Sequence, residues 1–449
     1  MFTYWCRICY INDRFYETNN FCPLFLITFV GLQCLSSQAL GQALPGQGAL
    51  PPLMAEALAR HPQVRMQQAL AAAAGIDVDS ARWQYFPTPQ LSVERANTAN
   101  DPALVNRDDP VTILRLSQPI WTGGKLGANV TRANELKQSK EAAVLEARQQ
   151  LSLRVLQTYT DWQLAHLRGK AFENSLQAQN KLLDQVQRRL VAGAATEADV
   201  LLSKSRIEST QADLYGIESQ KASALARLSE LLARPVTSAE LSAAPSPALP
   251  LEGDDATWMG KAQSNSPAIQ RLKAQALATE SEVTAARADM FPQLSLRFER
   301  QNGSFTYLNY GTVDRVYLSV SSQVGAGLSS FTQQQSAQMR LAAAQTEVEN
   351  ERQNLSEQVR NDLTLYRNLS VRIPFLSTAL QSTRQIQEAW ERQFLAGRKS
   401  WLEVMNAVRE IQQAESQLIE AQTNQMQLSW RLTILADGGP RLPATAITR

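Results

Sequence analysis

The sequence predicts a mainly α-helical protein that also carries membrane β-strands: two long helical hairpins and four short strands, arranged as a tandem duplication. Three observations carry that expectation. The stretch Leu190-Val191-Ala192-Gly193-Ala194-Ala195-Thr196-Glu197-Ala198-Asp199-Val200 recurs as Phe394-Leu395-Ala396-Gly397-Arg398-Lys399-Ser400-Trp401-Leu402-Glu403-Val404. From Lys125 to Val191 the chain contains no proline. Short segments before each long helical pattern switch to an apolar–polar alternation of period two, the signature of a strand.

In both copies of the repeated stretch a Gly (Gly193, Gly397) follows a helical run, Thr196 or Ser400 comes three residues later, and Asp199 or Glu403 three after that. Gly is favoured just past a helix end because it adopts positive φ at little cost. Thr or Ser followed three residues on by an acid approximates a capping box. Each copy therefore reads as the tip of an antiparallel helical hairpin. Other matches fall at nearly the same spacing: His61-Pro62 with Ser266-Pro267, Phe86-Pro87 with Phe291-Pro292, and Gln118 with Gln323. An ordered series of matches at one spacing is stronger evidence for duplication than any single motif.

Composition agrees with long helices rather than compact globules. Aromatic residues make up 7% of the 449 residues, and 44 basic residues nearly balance 42 acidic ones for a net charge of +2. That balance excludes an electrostatic case for a nucleic-acid partner. Cys6, Cys9, Cys22 and Cys34 are the four cysteines, all near the N-terminus. The isolated Cys6-x-x-Cys9 has no second pair to complete a metal site. Pro23 to Leu35 is an apolar run too short to span a bilayer and is followed by small residues at Ala39 and Ala43. It reads as the core of a signal peptide over residues 1–43, with a translation start downstream of Met1, because Asp13 and Glu17 make residues 1–20 a poor leader.

Taken in order, residues 44–234 form the first repeat. A helical pattern runs from Pro51 to about Tyr85. A β-hairpin spans about 89–119, with Leu91 and Val93 alternating cleanly. Gln118-Pro119-Ile120-Trp121-Thr122-Gly123-Gly124 turns strand into helix, and a helix of roughly 65 residues, about 100 Å long, follows. Its apolar positions Phe172, Leu176, Leu183, Val186 and Leu190 suggest a coiled-coil-like seam. The return helix runs from Glu197 to about Ala233. Residues 235–255, rich in Pro, Ser and Ala, read as a surface linker. The second repeat, 256–437, has a β-hairpin over about 292–324, with Leu294, Leu296 and Phe298 opposing Val316, Leu318 and Val320 in pattern. Its long helix runs from about Ser329 to Ala396 and is expected to break or bend at Pro374. Its return helix runs from Ser400 to Ala436. Residues 438–449 form a tail.

Each strand is expected to be about ten residues, the length that crosses a bilayer when tilted. Four strands cannot close a barrel, and an open edge in lipid leaves unpaired backbone groups costing several kcal/mol each. If the strands span a membrane, several chains must pool them. The other reading is a periplasmic coiled-coil adaptor or tether with two soluble β-hairpins, since those alternate as well.

Enzyme chemistry finds no support, and no cofactor is expected. His61 precedes Pro62 at a helix bend and His166 lies mid-helix, neither with a ligand cluster in its sequence neighbourhood. No phosphate loop, metal motif or nucleophile elbow appears. Asp199 and Glu403 sit where an anion favours a helix dipole by roughly 0.3–1 kcal/mol, which alone is enough to explain their presence. Phe86, Trp121, Phe291 and Phe298, near strand ends, fit an interfacial aromatic girdle.

The order of elements, the Pro89-Gln90-Leu91 and Pro292-Gln293-Leu294 strand starts, the Gln118 to Gly124 motif and the two tips together resemble the TolC family of outer-membrane efflux and secretion channels, over about residues 50–437. The resemblance implies a homotrimer in which four strands from each chain build one 12-stranded barrel and the helices form an α-barrel through the periplasm. It implies outer-membrane lipid around the barrel, and a periplasmic adaptor and an inner-membrane pump, ABC or proton-driven, as partners. The Trp121-Thr122-Gly123-Gly124 variant is similar to members serving type I secretion. Val324-Gly325-Ala326-Gly327 departs from the pattern in the second repeat. By the same resemblance Glu403 lines the constricted entrance as a ring, with uncharged Asn406 one turn on. Asp199 would pair with Lys399 and Phe394 would lie near Ala198 as a closing latch, without the hydroxyl a Tyr would offer. Gly193, Thr196, Gly397 and Ser400 mark the tips that meet the adaptor. Three Glu403 carboxylates are expected to repel, raise their own pKa and favour cations.

Overall fold

The computed structural model describes residues 49–95, 110–242, 248–304, 311–322, 325–326 and 329–439. The expected signal segment, all four cysteines, the loop aromatics Phe305, Tyr307 and Tyr310, and Gln323, Val324 and Gly327 lie outside those residues.

Nine helices and four strands are described. In chain order they are α1 (Leu50–Arg60), α2 (Pro62–Trp83), β1 (Thr88–Glu94), β2 (Val111–Trp121), α3 (Lys125–Val191), α4 (Glu197–Leu232), α5 (Ser238–Ser242), α6 (Asp255–Asn265), α7 (Pro267–Ala288), β3 (Gln293–Asn302), β4 (Thr312–Ser321), α8 (Ser329–Leu395) and α9 (Trp401–Asp437). The helical pattern from Pro51 is two helices, not one. Pro62 restricts His61 to an extended conformation at φ −67° and ψ 130°. The His61 Nδ1 atom then accepts the Gln63 N–H at 3.2 Å and caps α2, a structural use of one of the two histidines. The other, His166, stacks on Trp162 with ring centroids 5.0 Å apart.

Both long helices, α3 and α8, have 67 residues, which is about 100 Å of rod. Their partners are shorter: α2 and α7 have 22 residues each, α4 has 36 and α9 has 37. In the half near the sheet the packing order is α2, α3, α7, α8, and in the half near the tips it is α4, α3, α9, α8. The helices thus lie side by side in a single layer, with α3 and α8 running through both halves. Small and polar side chains fill the seams, as where Gln179 Nε2 donates to Thr210 Oγ1 at 2.9 Å between α3 and α4. The expected break at Pro374 does not occur, because α8 runs through it. Ser370, whose carbonyl the proline leaves without an N–H partner, lies on an exposed face where water can take that role.

The main core sits at the middle of the layer, where α1 packs with α3, α4 and α9 around Leu50, Tyr159, Trp162, Leu228 and Trp430. The segment 235–255, expected on the surface, is partly drawn into this core. Val236 and Leu241 are buried in it, and the Leu249 N–H donates to Ser429 Oγ at 2.9 Å. The reason is the end of α4. Ala233 takes a left-handed φ of 53°, and Arg234 then clamps Glu56 at 2.8 Å and Glu240 at 2.6 Å. These two carboxylates hold the Arg234 guanidinium firmly protonated, its pKa raised above the usual arginine value.

The four strands form one antiparallel sheet in the order β1-β2-β3-β4. The two expected hairpins are therefore joined, through ten-residue-scale pairing of β2 with β3 from Thr112↔Asn302 to Trp121↔Leu294. Three strands match the expected length and β1, at seven residues, is shorter. Alternation sorts the side chains onto two faces, apolar and polar over most of their length, with Arg300 and Asp314 paired at the loop end of the apolar one. On one lie Leu91, Val93, Val316, Leu318 and Val320, each 62–68% exposed, with Leu116 and Phe298 between them. Phe298 belongs to the middle of this apolar face, opposite Leu116 and Val316, and not to a strand end. Trp121 and Phe291 do meet where sheet joins helix, edge to face at 6.3 Å, with Trp83 and Phe86 beside the same junction at 5.0 Å from each other. Gly123, at φ 63°, makes that junction possible, since a Cβ there would lie 3.0 Å from the Phe291 Cβ.

Layer and sheet end in matching open edges. One side carries β1, α2 and α4, and the other carries β4 and α8. Large apolar side chains are exposed on these edge helices, including Met66, Ile76 and Tyr215 on one side and Met339, Val371 and Phe375 on the other. Among the described residues no helix is long and apolar enough to cross a membrane.

Candidate functional site at the paired hairpin tips

The two tips are built by the same local chemistry. At the first, Gly193 N–H donates to Leu190 O at 2.9 Å and Ala194 N–H to Arg189 O at 2.8 Å. At the second, Gly397 N–H donates to Phe394 O at 2.9 Å and Arg398 N–H to Gln393 O at 2.8 Å. Both are Schellman endings, which need a positive φ, and the glycines supply 71° and 70°. The next helix of each pair opens with a full capping box. Asp199 N–H donates to Thr196 Oγ1 at 3.2 Å while Thr196 N–H donates to Asp199 Oδ2 at 3.0 Å. Glu403 N–H donates to Ser400 Oγ at 3.4 Å while Ser400 N–H donates to Glu403 Oε2 at 3.0 Å.

Within the chain the expected Asp199–Lys399 latch is not made. Lys399 Nζ instead lies 2.6 Å from Glu403 Oε1 and 4.7 Å from the centre of the Trp390 ring. The helical spacing of four residues between Lys399 and Glu403 makes this the short-range choice. Phe394, assigned to the latch, is not a surface bolt. It is buried between the hairpins with Leu182, Val186, Val200, Trp401 and Val404. The Arg189 guanidinium lies 4.6 Å from the centre of its ring, and Arg189 Nη1 donates to Leu395 O at 2.9 Å. Asn406 is exposed one turn along α9 from Glu403, and Gly193, Thr196, Gly397 and Ser400 are exposed at the tips.

Three residues that tie the tips together were not singled out from the sequence: Trp401, Ser203 and Arg189. Trp401 stacks at 4.8 Å on Phe394, and its Nε1–H donates to Ser203 Oγ at 2.7 Å. Ser203 passes the bond on, donating to Asp199 O at 2.8 Å. A polar relay thus runs from α9 to the first turn of α4. The available signal was Trp401 itself, an apolar residue directly after the Ser400 cap where the first repeat has Glu197.

Within one chain, Glu403 is drawn the opposite way from the rise expected when three such carboxylates are gathered in a ring. The Lys399 ammonium, then the Ser400 N–H and hydroxyl, pull the Glu403 carboxyl down from 4.5 to about 2. A carboxylate whose folded pKa lies below its unfolded value stabilises the fold above the unfolded value, and that contribution fades as pH falls toward the folded one. The window here is pH 4.5 down to 2. We therefore expect amide protection at the tip to stay flat from pH 7 to pH 5 and to fall only below about pH 4.5. Protection that already falls between pH 7 and 5 would mean that repulsion from other carboxylates outweighs Lys399.

The sheet exposes one largely apolar face, with only the Arg300–Asp314 ion pair and neighbouring polar residues toward its loop end, and it continues into a helical wall that ends in capped tips. The outer membrane efflux protein family matches over residues 53–234 and 258–437, one stretch in each repeat, and the chain belongs to that family. As a member of that family it is an outer-membrane efflux channel with a periplasmic extension, and not an enzyme. Its sequence is 30% identical over 123 residues to the pyoverdine export outer membrane protein OpmQ of Pseudomonas aeruginosa, a match covering 27% of this chain and 26% of that protein. The chain thus spans about a quarter of the length of the curated relative it matches. Its fold is similar to the outer-membrane channel OprN, with a TM-score of 0.78 at 20% identity over 88% of this chain and 91% of that one. The outer membrane protein VceC of Vibrio cholerae is similar with a TM-score of 0.74 at 19% identity, covering 87% and 96%.

Proposed function

We propose that three copies of this chain assemble side to side into the exit duct of a tripartite export system, and that the duct carries small molecules out of the cell. The observation that carries the reading is the pair of matching open edges. In lipid an unpaired strand edge is untenable, so β1 of one copy must meet β4 of the next. The same step brings the exposed apolar residues of α2 and α4 against those of α8, closing the helical layer as well. A heterologous contact of this kind closes into a ring when its rotation divides a full turn. Three copies give 12 strands, within the range of bacterial barrels.

The duct does no chemistry. The tips close it, with Glu403, Asn406 and Asp199 at the entrance and Phe394, Trp401 and Arg189 holding neighbouring hairpins together behind them. The capped turns at Gly193–Thr196 and Gly397–Ser400 are the adaptor's docking points. Because Lys399 offsets Glu403 within each chain, the entrance is a ring of ion pairs, with weaker cation preference than three bare carboxylates would give. The relative OpmQ is a pyoverdine export protein, which supports small-molecule cargo over secreted protein.

Detergent-purified protein should run as a trimer and conduct ions in planar bilayers. A monomer without conductance overturns the assembly. In cells deprived of their own channels, the protein with its pump and adaptor should restore efflux of a fluorescent dye. Restored secretion of a large protein without dye efflux would instead favour the type I role.

A further inference from the structure

The polar face of the sheet is not evenly mixed in charge. Two adjacent rungs carry almost all of it. On one rung Gln90, Arg115, Glu299 and Arg315 lie side by side, and on the next are Ser117, Arg297 and Tyr317. Glu299 is 8% exposed and fully served: Arg115 Nε donates to it at 3.0 Å and Nη2 lies at 2.9 Å, and the Tyr317 hydroxyl donates at 3.1 Å. One guanidinium neutralises it. Arg315, 3.5 Å from Glu299 and donating to Gln301 Oε1 at 3.0 Å, is a second. Arg297 is a third, packed 5.7 Å from the Tyr317 ring, and its Nε is enclosed without a hydrogen-bond partner.

Holding Glu299 in place explains Arg115. It does not explain Arg297 and Arg315, which leave an excess of two positive charges per chain on these rungs. Toward the helices the same face carries Ser295, Ser319 and Ser321, none charged. Outward, Glu94 shares the face, but it lies two rungs from Arg115, about 13 Å along the strand and beyond the ~8 Å Debye length at physiological salt. In a barrel whose apolar face meets lipid, the polar face lines the lumen.

The geometry points to an anion-attracting belt inside the membrane-spanning lumen, built by Arg297 and Arg315 with Arg115, that favours cargo bearing carboxylate or phosphate groups. The inference rests on the channel assembly proposed above and adds the charge class of what passes through it. Guanidinium groups suit such cargo because their planar fork engages both oxygens of a carboxylate or phosphate. Three chains place six excess charges around one level of the wall, where a cation-lined pore favours anions.

The test is side-specific block in planar bilayers, with inositol hexakisphosphate added from the strand-loop side at low salt. The wild type should be blocked, and the block should weaken as salt rises. Arg297→Gln with Arg315→Gln should weaken it by at least about threefold, whereas Arg297→Lys should keep most of it. A conducting wild type that hexakisphosphate does not block overturns the belt, and so does equal block of wild type and double variant. Should the double variant fail to assemble, the wild-type block and the Arg297→Lys comparison still decide. Absence of any conductance counts against the channel assembly instead.

Discussion

Trp401→Ala is expected to loosen the closed tip more than any other single change. Trp401 is 2% exposed, stacks on Phe394 and donates to Ser203, so one side chain ties the second hairpin to the first through both packing and a hydrogen bond. Truncating a buried aromatic to Ala removes its transfer energy and leaves a cavity, together about 3–5 kcal/mol. The loss falls on the tip alone, because the cluster of Leu182, Val186, Val200, Phe394 and Trp401 is separate from the cores at the middle of the layer. Hydrogen exchange should therefore accelerate in residues 182–203 and 390–408 while the middle of the layer stays protected. Resting conductance should rise in the same variant. Unchanged exchange with unchanged conductance would show that the intrachain cluster does not hold the tip shut. Ser203→Ala, which removes the acceptor for Trp401 and the bond relayed to Asp199 O, should cost less, about 1–3 kcal/mol.

Val316→Arg is expected to abolish most of the assembled channel, by a different route. Val316 lies at the centre of β4, 67% exposed, opposite Phe298 on the apolar face. Arginine on the lipid face near the bilayer midplane costs about 2–4 kcal/mol in each chain, and an assembly of three pays it three times. The neighbouring position faces the other way, so Tyr317→Arg should be tolerated far better despite being one residue distant. The amounts of heat-modifiable trimer recovered from outer-membrane fractions compare the two. Equal recovery would show that the faces have been assigned the wrong way round.

Much of the fold was legible because its signals are local. The tips follow from a Gly, a hydroxyl and an acid at fixed offsets, and the structure realises each hydrogen bond those offsets imply. The length of α3 follows from the absence of proline, and the sorting of the sheet's two faces from alternation. What could not be read depends on partners far away in the sequence. The joining of β2 to β3 brings Arg115 to Glu299 across the two repeats, and neither residue advertises the other. Val236 and Leu241 are buried although the Pro, Ser and Ala around them read as surface linker. Their burial depends on Arg234 finding Glu56, which is distant along the chain.

At the tips, residue identity was legible but pairing was not. Lys399 had two acids in plausible reach, Asp199 and Glu403. The choice is decided by backbone proximity, since the turn just before the Ser400 cap holds Lys399 four residues from Glu403. The repeat comparison drew attention to what the two copies share and passed over Trp401, where they differ. That difference is what binds the copies together: Glu197 in the first repeat stays in water, while its counterpart in the second is an indole sunk between hairpins.

The change of partners halfway along α3 and α8 has a mechanical consequence. Two rods run the full length, but α4 and α9 stop at Ala233 and Gly438 and do not reach the sheet. Torque applied at the far end is taken up as sliding of these shorter helices along the rods, and it fades where they end. In the proposed trimer, twisting at the tips would therefore leave the strands in the membrane at rest, and the seal they make with lipid would be spared.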